Sequence, residues 1–362
     1  MIKAPEHVLK VNAYVPGKPV EELERELGVR NPVKLASNEN PLGPSPLALE
    51  AIARAGQSLN RYPDGGGYYL KMALSRRLGI DPGWIILGNG SNELIDIAVR
   101  TFMVPGDEAV MAAPSFVVYS MSVGITGGKA VQIPLRDFRH DLPAMHGAVG
   151  PKTRMLFIAN PNNPTGTINY KAEYDRLFSG IPEDVLVVID EAYIEYVSHP
   201  DYPDSMRYLL EGKNVLILRT FSKIYGLAGL RVGYGISKPG ILAQMERVRA
   251  PFNTNSIGQA AAIRALEDEA HLAKSRAVNE EGKSLLYREL SAMGMDYVKT
   301  EANFIYMRVD DAQALFNALL KAGVIIRPMG GKAVRVTIGL AGENMRFIDA
   351  LKAVLKTGQP KI

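Results

Sequence analysis

One lysine, Lys223, sits in the stretch Arg219-Thr220-Phe221-Ser222-Lys223-Ile224-Tyr225-Gly226, with Arg231 eight residues further on. The run 214–218 ahead of it reads as a buried parallel strand, whose end delivers the amine into a loop of hydroxyls, glycines and an arginine. Desolvation and cationic neighbours lower the pKa of a lysine, and an uncharged amine can form a Schiff base with a carbonyl compound. Ser222 and Arg231 supply a hydroxyl and a fixed positive fork of the kind that holds a phosphate. A surface loop with an ordinary solvated lysine fits the same short pattern, so the remaining chain has to decide between them.

A second chemical group stands at the end of 185–189, five apolar residues of which four are β-branched. A strand with only apolar side chains is buried on both faces, so Asp190 at its tip must be paired, hydrogen-bonded or costly. A protonated heterocyclic nitrogen is a suitable partner, and Tyr193 is close enough in sequence to reach the same ligand. The strand-like run 84–87 leads through Gly88-Asn89-Gly90-Ser91-Asn92 into a helix over 93–102. That arrangement aims free backbone N–H groups and the helix dipole at an anion, although Ser91 or Asn92 capping an ordinary helix explains it equally. The glycine pattern is neither a P-loop nor a dinucleotide fingerprint.

Other candidates are scattered along the chain. Phe116, at the start of a helix, can stack on a flat ring or fill the core. Asn163 lies in Asn160-Pro161-Asn162-Asn163-Pro164-Thr165-Gly166, a turn that follows the predicted strand 154–159 and projects asparagine amides. Tyr62, in Arg61-Tyr62-Pro63-Asp64-Gly65, is either loop decoration or a residue presented to a site. Arg327 and Arg335 lie near strand ends on either side of a glycine-containing loop; they are edge charges or an anion-binding pair.

The elements that must position these groups follow from pattern. Strands are expected at 33–37, 84–87, 109–112, 129–134, 154–159, 185–189 and 214–218, and the alternation of strand and helix from 33 to 236 predicts a doubly wound α/β sheet with its site at the strand ends. After Pro239 the character changes. Helices over 241–249 and 256–293, strands over 296–308, 323–328 and 333–338, and helices over 311–322 and 343–356 describe a smaller α+β unit. Residues 1–28 form an arm with a rigid turn, Tyr14-Val15-Pro16-Gly17-Lys18-Pro19, and a short charged helix over 20–27. Short of a core of its own, the arm is expected to pack on another part of the protein or on a neighbouring subunit.

Composition excludes several classes. A chain of 362 residues can bury a large core, and its net charge of +4 comes from scattered basic residues, which argues against nucleic-acid binding. With no cysteine in the sequence, disulfides and thiolate metal sites are ruled out. His7, His140, His146, His199 and His271 make no metal-ligand spacing and are read as surface or loop residues, so no metal is expected. No signal peptide, membrane span or lipidation motif is visible, and the cytoplasm is the expected location.

The assembled set, Ser222-Lys223 with Arg231, Asp190 with Tyr193, Asn163-Pro164-Thr165-Gly166 and the loop at Gly88, resembles the fold-type I pyridoxal-phosphate aminotransferases of class I/II over nearly the whole chain. Within them it looks most like the histidinol-phosphate aminotransferases, through Tyr14-Val15-Pro16-Gly17-Lys18-Pro19, Ala36-Ser37-Asn38-Glu39-Asn40-Pro41-Leu42-Gly43 and Arg61-Tyr62-Pro63-Asp64-Gly65. The resemblance implies a mostly parallel sheet in a large pyridoxal 5'-phosphate-binding domain, 29–248, a smaller α+β domain, 249–362, and an arm, 1–28, on the small domain or partner subunit. It implies that Lys223 forms the Schiff base with the cofactor and then shuttles the proton between the substrate Cα and the cofactor C4′. Asp190 holds the ring nitrogen protonated; Tyr193 and Asn163 bond the ring hydroxyl oxygen; Phe116, where many relatives carry tyrosine, stacks on the ring. Gly90, Ser91, Asn92, Ser222 and Arg231 hold the cofactor phosphate, and Tyr62 reaches it from the other subunit of a homodimer. Arg335 takes the α-carboxylate of the amino donor, while Arg327 and Tyr14 meet the substrate phosphate. The activity implied is a ping-pong transfer between glutamate/2-oxoglutarate and histidinol phosphate/imidazole-acetol phosphate in histidine biosynthesis. An aromatic amino-acid aminotransferase, a threonine-phosphate decarboxylase and a non-catalytic pyridoxal-phosphate-binding protein of the same fold are the alternatives.

Overall fold

The computed structural model of the protein describes residues 2–356. Its strands in chain order are β1 (Val33–Lys34), β2 (Ile85–Asn89), β3 (Glu108–Ala113), β4 (Lys129–Pro134), β5 (Thr153–Ala159), β6 (Leu186–Asp190), β7 (Val215–Thr220), β8 (Val232–Ile236), β9 (Asp296–Val298), β10 (Phe304–Arg308), β11 (Val324–Ile325), β12 (Arg327–Pro328) and β13 (Ala333–Thr337). Seven of them make one sheet in the order β2-β8-β7-β6-β5-β3-β4, parallel except for β8, which runs antiparallel to both neighbours.

The central strands are continuous apolar runs because both faces of this sheet are covered. Val187 and Ile189 of β6 pack with Tyr174, Leu177 and Phe178 on one face, while Leu186 and Val188 pack with Leu94, Val99 and Tyr119 on the other. Each such side chain, fully buried, contributes about 1.5–3 kcal/mol. In register, Ala159 of β5 meets Asp190 of β6, and Asp190 meets Leu218 of β7. The carboxyl ends of these parallel strands therefore lie side by side, where α/β sheets hold their ligands.

The second sheet, β12-β13-β10-β9, is antiparallel throughout and is packed by the helices Glu269–Ala292, Ala312–Lys321 and Ala341–Lys356. A parallel pair, β1 with β11, ties the chain after the arm to this region. From there the backbone runs back toward the large sheet: the N–H of Thr337 donates to Leu35 O at 2.8 Å and that of Asn38 to Thr337 Oγ1 at 2.9 Å. In the arm, helix Val20–Leu27 buries Leu23 against Ala36, Leu320 and Ile325, and a short helix, Glu6–Leu9, precedes it.

Several expectations need correction. The run 296–308 is two strands, β9 and β10, joined by a turn in which Ala302 N–H donates to Thr300 Oγ1. The run 323–328 likewise divides into β11 and β12, which belong to different sheets. The helix expected over 256–293 is broken at Asp268, whose carboxylate accepts from His271 N–H at 3.0 Å and caps the second piece; aspartate competes for the backbone in this way. His140 does lie in a loop but is not on the surface: it is 2 % exposed, its Nε2 lying 3.1 Å from Asn162 Oδ1. Burial lowers its pKa to about 4, so the ring is neutral. Among the described residues no cluster of acidic, histidine or cysteine side chains could hold a metal, and no helix is long and apolar enough to cross a membrane.

Candidate active site

The loop after β7 brings Lys223 into a cavity of about 590 Å³ that Asp190 also lines. The amine donates to Ser37 O at 3.3 Å and lies 5.6 Å from the centre of the Tyr193 ring. Burial, with Arg335 and Arg231 nearby, lowers its pKa to about 8 against the opposing pull of Glu39 and Asp190. The Asp190 carboxylate accepts from Tyr119 Oη–H at 2.8 Å and from the Ala192 N–H at 3.1 Å, and burial raises its pKa to about 6 in spite of both bonds.

The lining also includes a helix start with the features of an anion cradle. Helix Ser91–Phe102 begins after Gly90 and has no side-chain cap, so neither Ser91 nor Asn92 is the N-cap and the first-turn N–H groups stay unpartnered within the helix. Gly90 has φ +76°, and a Cβ there would stand 2.7 Å from Arg231 Nη2; glycine is what lets the guanidinium lie against the helix start. Arg231, itself at φ +57°, reaches Ser222 Oγ at 3.5 Å and the Ala228 carbonyl at 3.1 Å. Gly233 on β8 has the same logic, since a Cβ would come within 2.3 Å of Ser91 N.

Arg335 lies mid-strand in β13, not near a strand end, and is the direct register partner of Arg327 in β12. Its guanidinium donates to Asn163 Oδ1 at 2.6 Å and to Ala36 O at 2.7 Å, while Nε is buried with no partner. Arg327 donates to Val15 O at 2.7 Å and lies 5.8 Å from the Tyr14 ring centre, so the arm is held at the mouth. Tyr193 accepts at its hydroxyl from Asn38 Nδ2 at 2.8 Å, which leaves the Tyr193 proton available to a ligand. Asn163, with its carbonyl oxygen taken by Arg335, keeps its NH₂ for the same purpose.

Phe116 lines the cavity but precedes its helix, which begins at Val118; its ring is edge-on to Tyr119 at 5.6 Å. Of the residues singled out in the sequence, Tyr62 alone is not in the cavity wall: it is 82 % exposed and stacked on Phe252 at 4.7 Å. Three further residues were missed. Asn38 entered only as part of the stretch 36–43, and neither Gly233 nor Tyr119 was singled out. For Tyr119 the only sequence signal is an aromatic residue three positions after Phe116.

The residues present fit a flat, phosphorylated heteroaromatic carbonyl compound. The uncapped helix start with Arg231 suits the phosphate, the carboxylate at Asp190 suits a ring N–H, and the orphaned Arg335 Nε calls for a further anion.

The seven-stranded sheet, with a lysine loop and a strand-end carboxylate sharing one cavity, defines the fold-type I architecture of pyridoxal-phosphate enzymes. The family model described as aminotransferase class I and II matches residues 30–351, and the chain belongs to that family. It is 50 % identical over 359 residues to histidinol-phosphate aminotransferase of Moorella thermoacetica, covering 98 % of this chain and 93 % of the relative. It is 49 % identical to histidinol-phosphate aminotransferase 1 of Nitrosococcus oceani, covering 95 % and 94 %. Among solved structures, histidinol-phosphate aminotransferase from Sinorhizobium meliloti in complex with pyridoxal-5'-phosphate is similar with a TM-score of 0.90, 30 % identity and 97 % of each chain covered.

Proposed function

We propose that this protein is a pyridoxal-phosphate-dependent transaminase that moves an amino group between glutamate/2-oxoglutarate and histidinol phosphate/imidazole-acetol phosphate in histidine biosynthesis, as a cytoplasmic homodimer. The observation that carries the substrate assignment is the arginine pair. Arg335 and Arg327 are cross-strand neighbours on one cavity, in addition to Arg231 at the helix start. A cofactor phosphate occupies one cation only. Arg335 then takes the α-carboxylate of glutamate, and Arg327, beside Tyr14 at the mouth, takes the phosphate of histidinol phosphate.

When bound, the cofactor supplies an electrophilic carbon for amino-group exchange and a protonated ring that accepts electrons from the substrate Cα. Lys223 would hold the cofactor's electrophilic carbon and, when free, would serve as the base that moves a proton at the substrate Cα; in the cofactor-free protein a pKa of about 8 keeps part of the amine uncharged near neutral pH. Asp190 would meet the ring nitrogen, Tyr193 and Asn163 would donate to the ring oxygen, and Phe116 would cover the ring. Gly90, Ser91, Asn92, Ser222 and Arg231 would hold the phosphate and so orient the cofactor relative to Lys223 and Asp190. In this reading residues 29–248 are the cofactor-binding domain, 249–362 the small domain and 1–28 the arm, and Tyr62 reaches the phosphate of the partner subunit's cofactor.

The test is a half-reaction. Protein loaded with pyridoxal phosphate is mixed with histidinol phosphate and followed by absorbance; conversion to the aminated form, reversed by 2-oxoglutarate, is expected. A spectrum that ignores histidinol phosphate yet responds to phenylalanine reassigns the chain to the aromatic enzymes. Release of carbon dioxide from threonine phosphate reassigns it to the decarboxylases.

A further inference from the structure

The hydroxyl of Tyr119 makes a contact that the cofactor set above does not use. It donates to Asp190 Oδ2 at 2.8 Å, and Asp190 Oδ1 accepts from the Ala192 backbone. The carboxylate is 6 % exposed and Tyr119 is 1 % exposed, so no solvent substitutes for either bond. The tyrosine ring cannot swing away: it is stacked on Phe157 of β5 at 4.8 Å and 14°, and its edge meets Phe116 at 5.6 Å. Phe157 is anchored in turn, because β5 pairs with β6, the strand that ends in Asp190. Donor and acceptor are thus fixed through the same piece of sheet.

A hydrogen bond to the charged form of an acid favours that form and makes the carboxylate a weaker base. Buried without it, the carboxyl group competes for any proton on a heterocyclic nitrogen opposite. We propose that Tyr119 is a positioning residue that sets where the proton shared by Asp190 and the cofactor ring nitrogen resides, keeping it on nitrogen. This rests on the pyridoxal-phosphate reading above. Tyr119 touches no reacting atom; it acts through Asp190, and by holding Phe116 edge-on it also fixes the residue that covers the ring.

The experiment uses holoenzyme carrying pyridoxal phosphate labelled with ¹⁵N in the ring. In the wild type the nitrogen resonance lies at the pyridinium position. In Tyr119→Phe, which preserves the stacking, it moves toward the neutral pyridine position, and the cofactor dissociation constant rises about tenfold, the usual scale for one bond to a charged group. In an Asp190→Asn background the same substitution leaves cofactor affinity unchanged, a result that a merely structural role of Tyr119 does not produce. A pyridinium resonance retained in Tyr119→Phe overturns the proposal, as does an equal loss of affinity in both backgrounds. Failure of the wild type to bind pyridoxal phosphate, or a neutral nitrogen in it, overturns the cofactor reading itself and is seen before any variant is made.

Discussion

Burial beside Arg335 and Arg231 leaves the Lys223 amine with a pKa of about 8, and the consequence reaches stability as well as chemistry. The unfolded chain keeps this lysine protonated up to about pH 10.4, so between pH 8 and that value the unfolded state binds more protons and stability rises with pH. Below pH 8 the cofactor-free protein therefore bears a charged amine in an unfavourable place. Lys223→Met should abolish turnover and the covalent cofactor bond together, while urea unfolding of the cofactor-free form at pH 7 shows a gain of about 1–3 kcal/mol. Asp190 acts with the opposite sign and in a lower window. Its raised pKa means that the folded state binds the extra proton between about pH 4 and pH 6, so stability falls as pH rises through that window. Arg327→Ala, by contrast, touches substrate choice. It should raise KM for histidinol phosphate by about 100-fold, the scale of losing one charge-assisted pair, and leave KM for glutamate within about twofold, as steady-state kinetics on both substrates will show.

At the scale of elements, the proposed cofactor cradle depends on three chain segments meeting with no side chain between them. β8 passes under the start of helix Ser91–Phe102 at Gly233, where a Cβ would lie 2.3 Å from Ser91 N and 2.6 Å from the Gly90 carbonyl carbon. Backbone, not a flexible side chain, is what must move. Gly233→Ala is expected to cost about 1–3 kcal/mol in denaturant titration and to weaken cofactor retention more than Ser222→Ala does, since it displaces the N–H groups as well as the loop. If both variants hold the cofactor like the wild type, the helix start is not its phosphate site. The antiparallel sheet makes the other half of the site in the same way, by placing Arg335 on β13 opposite Arg327 on β12. Neither strand is recognisable as a pair from the run 323–338 alone.

For the whole molecule, the open question of assembly has a simple form. Tyr62 and Phe252 stack on the outside of the protein, and Tyr68 and Tyr69 are exposed as well. If Tyr62 serves the neighbouring subunit, then Lys223→Ala and Tyr62→Ala subunits, unfolded and refolded together, form hybrids with one intact site each. Activity of about a quarter of the wild type is expected from random pairing, and no gain on mixing would place Tyr62 outside catalysis.

What the sequence determined by itself is whatever depends on local pattern. The apolar runs that became β3, β5, β6 and β7 are legible because a strand buried on both faces leaves a continuous hydrophobic signature, and Asp190 and Lys223 stand out because they follow it at strand ends. Turn residues between 160 and 166 marked Asn163 for the same reason. What only the tertiary structure decided are contacts between segments far apart in the chain. Tyr119 meets Asp190 across 71 positions, Asn38 meets Tyr193 across 155, and Arg335 meets Asn163 across 172. The burial of His140 and the need for glycine at 233 belong to this class too. A single sequence carries the propensity of each residue but not the identity of the atom it will face, and in a buried site that partner sets both charge and position.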